Sequence, residues 1–318
     1  MTESDNPSRP SPESESKGAP VEQTALESVP LPPTKTPMYQ AMHADRYHRQ
    51  TLIRQIQKQM PARLVCYICG INAQIHRDDT LGFVDLLHNV PRNSDLNLIL
   101  HTPGGNIDAS EKLLSMVRTT VGTGRLRVII PDFAKSAGTL MALGADKIVM
   151  SDTSELGPID PQITLNDGHG NLISHSILSY LGAYKTHSES LQRNPNDVTA
   201  QIMLGKLNPE TVKQFQLVRG RAQTLAEKNL NRWMFQTEKG NFTEIAAALM
   251  NIERWQTHGQ MIGYQDAREL GLLVEYLDPE SEEWRAYWQL YCLQRLAVKD
   301  RQKLFESDYV SLVFDAAT

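Results

Sequence analysis

From residue 63 onward, apolar runs alternate with segments whose apolar residues recur every three or four positions. RLVCYICGI (63–71) is a continuous apolar run of strand length, and TLGFVDLLHNV (80–90) follows it with helical spacing. The alternation repeats through LNLILHTPGG (96–105), DASEKLLSMVRTTV (108–121), LRVIIP (126–131), SAGTLMALGA (136–145) and KIVMS (147–151). Apolar strands interleaved with amphipathic helices predict an α/β fold, a parallel sheet with crossover helices. In such sheets ligands bind beyond the carboxyl ends of the strands. TPGG (102–105) and FAKSAG (133–138) both stand at such ends.

The remainder of the chain divides by composition. Residues 1–37 are poor in apolar side chains and rich in Pro, Ser and Glu, which predicts a disordered tail. Residues 38–60 read as an N-terminal helix, 61–277 as the main α/β domain and 278–318 as a C-terminal helical extension. NDGHGN (166–171) is a turn-rich loop between short extended pieces, which predicts a hairpin. Residues 172–235 read as mostly helical, with Asn208 as an N-cap, Pro209 at the first helical position and Glu210 in the first turn. The aromatic stripe of DPESEEWRAYWQLYCLQRLAVKDRQKLF (278–305) reads as core or as a seam between subunits.

Bulk composition narrows the function classes. The 318 residues are 40% hydrophobic and 22% charged, ordinary for a globular protein with one substantial core. A net charge of −5 argues against a general nucleic-acid or anionic-membrane binder, since both need a basic surface. The three cysteines, Cys66, Cys69 and Cys292, suggest a reducing compartment without a disulfide framework. Cys66 and Cys69 have C-x-x-C spacing, but positions three apart on a strand face opposite ways, and no second pair completes a zinc site. They read as core cysteines, and no metal or cofactor is expected. No apolar stretch approaches a membrane span and no signal-peptide core opens the chain, so a soluble, cytoplasmic protein is expected.

The two strand ends carry the candidate chemistry. In TPGG, Pro103 ends the strand, and Gly104 and Gly105 let the backbone turn sharply and approach a ligand closely. Their N–H groups, freed from ladder pairing, suit a phosphate or the oxyanion of an acyl-transfer intermediate, or the segment is a plain strand-to-helix turn. No G-K-[ST] follows to make a phosphate-binding P-loop. Ser136 stands where a helix begins, so its hydroxyl is either an N-cap or a nucleophile with the Ala137 N–H as an oxyanion donor. The two turns on neighbouring strands together supply the parts of an acyl-transfer site.

HTPGGNIDASEKLL, PDFAKSAGTLMALGADKIVMSDTSELGPIDPQI and HGQMIGYQDARELGLLVEYL (258–277) resemble the ClpP-like serine peptidases. Within them the order P-G-G, S-A-G, L-G-P-I-D-P-Q is similar to the serine dehydrogenase proteinase branch, related to signal peptide peptidase A, over residues 61–277. The resemblance implies a ClpP/crotonase-like fold. It also implies Ser136 as nucleophile, and an oxyanion hole from Gly104 or Gly105 with Ala137. A polypeptide substrate and homo-oligomeric assembly follow from the same resemblance, with 278–305 as a candidate seam.

A serine hydroxyl needs a neighbour to take its proton. ClpP proper carries a histidine in the stretch after the serine, but here that stretch reads GPIDPQI, with Asp160 near the slot and no histidine before His169. His169 and His175 are therefore weak triad candidates. The signal peptide peptidase branch uses a helical lysine beyond the hairpin, and Lys185 in LGAYKTHSES stands in that range, with Lys206 behind it. Burial can lower a lysine far enough to act as a base near neutral pH. Lys135 is expected to point away from the Ser136 hydroxyl or to touch substrate. Asp160 either orients a base, binds a substrate amine or serves a turn. The leading expectation is a serine endopeptidase with a Ser136–Lys185 dyad. The alternatives are a catalytically silent ClpP-like scaffold for assembly or polypeptide binding, and a crotonase-type acyl-CoA site, against which the serine at S-A-G argues.

Overall fold

The computed structural model of the protein describes residues 36–166, 172–237 and 239–316. The chain divides into two units, Met1–Met42 and His43–Thr318. The described residues of the first form a short helix, α1 (Pro37–Met42), and the residues of the expected tail before 36 lie outside the described ones. The expected helix over 38–60 is thus two pieces, the second being α2 (Ala44–Gln59).

In the second unit the alternating half runs β1 (Arg63–Cys69), α3 (Asp79–His88), β2 (Leu96–His101), α4 (Ile107–Val121), β3 (Leu126–Ile129), β4 (Phe133–Ala134), α5 (Ala137–Ala142) and β5 (Lys147–Met150). Next come β6 (Glu155–Leu156), the hairpin β7 (Gln162–Asn166) and β8 (Leu172–Ser176), and the helices α6 (Ile177–Arg193), α7 (Val198–Gly205) and α8 (Pro209–Asn229). A π-turn, Leu230–Met234, extends α8. The chain closes with α9 (Phe242–Leu249), α10 (Ile252–Trp255), α11 (Tyr264–Glu269), β9 (Val274–Tyr276), α12 (Glu282–Leu296), β10 (Gln302–Ser307) and β11 (Ser311–Asp315).

The central sheet has the order β11-β10-β1-β2-β3-β5-β9, in which β1, β2, β3, β5 and β9 are parallel, β10 runs antiparallel to β1, and β11 runs antiparallel to β10 and so along the direction of β1. Its parallel strands are apolar throughout because both faces are covered. In β1, Leu64, Cys66 and Ile68 pack under α2 and α12, whereas Val65, Tyr67 and Cys69 pack with α3 and α4 on the other face. The two cysteines therefore point to opposite sides of the sheet and are both fully buried. The stripe Trp284, Tyr287, Leu290 and Tyr291 on α12 is likewise buried against the sheet within this chain, so these aromatics are core and do not supply an exposed seam. Burial of each such large side chain contributes on the order of 2 kcal/mol.

The segment expected to be wholly helical after 278 carries a hairpin as well, and β10 pairs with β1 in the middle of the fold. Two charged residues of β10 are buried and paired: Lys303 Nζ stands 2.7 Å from Asp79 Oδ1, and Glu306 takes a two-pronged ion pair from Arg49. Gln294 and Ser311 donate the further hydrogen bonds that Glu306 accepts. Removing one partner of such a pair leaves a buried charge uncompensated, at a cost of about 3–5 kcal/mol.

Candidate active site

Three short strand contacts bring the serine turn, the glycine turn and a distant loop together. Beyond the end of β2, the Thr102 N–H donates to Phe133 O at 3.0 Å and the Lys135 N–H donates to Thr102 O at 3.0 Å. This sets β4 beside TPGG. β4 pairs in parallel with β6, and Leu156 of β6 exchanges two 3.0 Å backbone hydrogen bonds with Ile262. The segment 258–262 is thereby carried to the same end of the sheet as Ser136.

Ser136 occupies the residue before α5 with φ 51° and ψ −112°, a conformation that a side chain adopts only under local constraint. Its hydroxyl makes no capping hydrogen bond to α5. The residue is in the cap position without doing a cap's work, which removes the simplest reading of a serine at a helix start. The side chain of Thr139 holds the turn instead, its hydroxyl placed to donate to either Ala134 O (2.9 Å) or Gly157 O (2.8 Å) and accepting from the Gly157 N–H (3.1 Å).

The glycine turn fits closely around it. Gly104 (φ 102°) has room for no side chain, since a Cβ there would lie 2.7 Å from Lys135 O and 2.9 Å from Ser136 Cβ. Its N–H donates to Thr102 Oγ1 at 3.1 Å. Gly105 (φ 143°) is bracketed by Ile75, whose N–H donates to Gly104 O (2.7 Å) and whose carbonyl accepts from the Asn106 N–H (3.0 Å). Among the described residues no acceptor takes the N–H of Gly105 or that of Ala137. Of the two glycines, Gly105 has the N–H available for an oxyanion.

Ser136 and Gly105 line a cleft of about 570 Å³ with Pro161, Gln162, Leu217 and His258. His258 is the residue that sequence spacing missed. Its Nδ1 stands 3.6 Å from Asp160 Oδ2, with the carboxylate buried and the imidazole about a third exposed. Asp160 is fixed by hydrogen bonds from Gln162 Nε2 and Ser176 Oγ, both 2.6 Å. Gln162 Nε2 lies 3.4 Å from the His258 Nδ1. In the tautomer with the proton on Nδ1, toward the held carboxylate, Nε2 is free as a proton acceptor, which is how an imidazole serves as a base. Lys135 points away from the serine hydroxyl. Its ammonium lies 2.9 Å from Glu155 Oε2 and donates to the carbonyls of Leu156, Gly259 and Gln260, so it ties the His258 loop to the serine turn. The one early hint of His258 was its place at the head of HGQMIG, inside the segment that carries the family resemblance.

The other candidates lie elsewhere. Lys185 on α6 is exposed, stands 3.8 Å from Glu189 one turn on and lines a separate cavity, on a different side of α8 from the serine cleft. Lys206, just after α7, is exposed, and so is His175 on β8. His169 lies outside the described residues. Among those described, no cluster of three or more His, Cys, Asp or Glu side chains is placed to hold a metal ion. No described helix is long and apolar enough to cross a membrane.

Behind the glycine turn, His101 at the end of β2 is buried with its Nδ1 2.9 Å from Cys69 O and its Nε2 3.3 Å from Asp132. Tyr291 donates to the same carboxylate at 2.6 Å. Burial pushes His101 below the usual histidine value despite the pull of Asp132. Burial alone pushes Asp132 upward, but the His101 and Tyr291 hydrogen bonds outweigh it and hold the carboxyl below its ordinary range. The network anchors the strand that delivers TPGG.

Comparison with known proteins places the chain. It is 28% identical over 207 residues to MJ0137, an uncharacterized protein of Methanocaldococcus jannaschii, covering 64% of this chain and 62% of that one. It is 33% identical over 132 residues to MJ1495 of the same organism, covering 36% of this chain and 42% of the relative. The chain thus spans less than two thirds of the length of either relative. Among solved structures, it is similar to the 1510-N membrane-bound stomatin-specific protease in a serine-to-alanine form, with a TM-score of 0.40, 16% identity and coverage of 68% and 81% of the two chains. The corresponding values for ClpP1 from Listeria monocytogenes are 0.38, 12%, 70% and 96%. The sequence profile of the ClpP-like SDH-type serine proteinases matches residues 35–299. The chain, with its S-A-G serine beside a P-G-G turn, belongs to the ClpP-like SDH-type serine proteinase family.

Proposed function

We propose that this protein is a serine endopeptidase in which Ser136 attacks the peptide carbonyl and His258, oriented by Asp160, takes its proton. The Ser136 Oγ–carbon bond forms as the proton passes to His258. The carbonyl oxygen gains the negative charge and is held by the N–H groups of Gly105 and Ala137. The C–N bond then breaks, the proton goes to the departing amine, and water hydrolyses the acyl-enzyme. The observation that carries the reading is the uncapped, constrained Ser136 sharing one cleft with the available Gly105 N–H and with His258, whose Nδ1 faces Asp160. Lys185, the base implied by the family resemblance, is the alternative. It serves only if substrate or assembly brings α6 to the serine. Homo-oligomeric assembly belongs to the proposal as well, and light scattering on the purified chain reads it. With a denatured protein substrate, Ser136→Ala is expected to abolish hydrolysis by the purified chain, and hydrolysis that survives the substitution overturns the reading.

The silent scaffold keeps one observation in its favour: among the described residues, no hydrogen bond joins the Ser136 hydroxyl to a base. Catalytic hydrogen bonds often tighten only in the substrate complex, so the endopeptidase reading stands first.

A further inference from the structure

A second cavity, of about 680 Å³, opens between α4 and the end of α8 and shares Asp108 and Arg221 with the serine cleft. In a chain of net charge −5, six basic side chains line it: Arg77, Lys112, Arg118, Arg221, Lys228 and Arg232. Its two acidic residues are already engaged. Glu111 is paired with Arg221 and, at 3.0 Å, with Lys228, and Asp108 stands 3.2 Å from Arg221. Among the described residues Arg77, Lys112 and Arg232 have no carboxylate in ion-pair reach. The positive charge of the cavity therefore exceeds what the protein itself neutralises.

The deepest of these groups is built in. The Arg118 side chain is 3% exposed, with Nε donating to Gly144 O (2.6 Å) and Nη1 to Asp146 Oδ2 (2.8 Å). Its Nη2 is buried and has no hydrogen-bond partner. A buried donor without a partner is unfavourable, so an incoming acceptor at that atom has a free-energy reason to bind. The guanidinium carbons of Arg118 and Arg232 lie 4.5 and 4.8 Å from the centre of the Trp233 ring, which keeps both planar forks in place. Guanidinium forks match the geometry of a carboxylate.

We propose that this cavity binds a carboxylate of the polypeptide held in the serine cleft, which selects substrates bearing an acidic side chain or a free C-terminus at a distance from the scissile bond. The proposal rests on the cleft being a polypeptide site, because the shared Asp108 and Arg221 join the two spaces. The chemistry required is a carboxylate, and either source on the peptide supplies it.

Binding separates this proposal from the hydrolysis reading. Fluorescein-labelled peptides of one apolar frame, bearing Asp/Glu or Asn/Gln and ending in a free carboxylate or an amide, are titrated by anisotropy against the full chain carrying Ser136→Ala. The expected result is that a carboxylate-bearing peptide binds about 10-fold tighter than the all-amide one, equivalent to about 1.4 kcal/mol. Whether the side-chain acid or the free terminus carries the gain identifies the source. In Arg77→Gln/Arg232→Gln, two exposed positions, the preference is expected to fall below about 3-fold while all-amide binding holds, since the lost term is a charge-assisted hydrogen bond. Equal binding of acid and amide peptides, no binding of any of them, or a preference that survives the double substitution each overturns the proposal. A chain that binds acid peptides selectively but cleaves none retains the carboxylate site and loses only the peptidase reading.

Discussion

Nδ1 of His258 stands 3.6 Å from Oδ2 of Asp160, on the wall of the cleft that also holds Ser136. The two residues come from segments almost a hundred positions apart and meet because β6 pairs with Ile262. If this pair generates the base, His258→Ala is expected to lower kcat/KM on a peptide substrate by about 100-fold or more, in the range of general-base catalysis. Asp160→Asn is expected to cost less, and Lys185→Ala to change kcat/KM by less than about 2-fold. Steady-state kinetics on the three variants decides between the two bases.

The glycine turn permits a test that needs no substrate. A Cβ at Gly104 meets the Lys135 carbonyl and Ser136 Cβ, and φ 102° disfavours any side chain. Gly104→Ala is expected to lower stability by about 2 kcal/mol or more, through strain and displacement of the serine turn. Urea denaturation reads the loss.

Acid is expected to weaken the fold at His101. A histidine held below its ordinary value binds fewer protons folded than unfolded, so stability is present above about pH 6.5 and falls as the pH drops below it. Asp132, held low, adds to the loss only further into acid, as its carboxyl is protonated. One such group contributes at most about 1.4 kcal/mol per pH unit. Between pH 7 and 5 the unfolding free energy of His101→Asn is expected to change less steeply than that of the parent chain.

Thiol chemistry reports the two faces of β1. Burial pushes the Cys69 thiol up to about 11 and Cys66 higher still, whereas Cys292 is exposed on α12. A thiol titration is expected to find one reactive cysteine in the native protein and all three in denaturant. Two or more native thiols would contradict the buried strand.

Much of this was legible in the residues. The parallel core, the antiparallel pairing of β7 with β8 and the apposition of the serine and glycine turns follow from periodicity and from Gly, Pro and Ser at strand ends, while 167–171 of the expected turn NDGHGN lie outside the described residues. β10 was not legible, because its buried Lys303 and Glu306 interrupt the apolar pattern and only their distant partners, Asp79 and Arg49, explain them. His258 was hidden for a related reason. Its relation to Asp160 is a contact between loops, set by one short strand bridge, and no local spacing encodes it. Lys185 stands in the sequence range where the resemblance implies a lysine, while its helix turns it toward solvent and Glu189.

The central claim is that Ser136 is an activated nucleophile. The second-order rate of fluorophosphonate labelling, with the adduct located by mass spectrometry, tests it directly in the parent chain, His258→Gln and Lys185→Ala. The expected result is a single adduct on Ser136 that forms about 100-fold more slowly in His258→Gln and at the parent rate in Lys185→Ala. An unlabelled Ser136, or labelling indifferent to His258, would contradict the account.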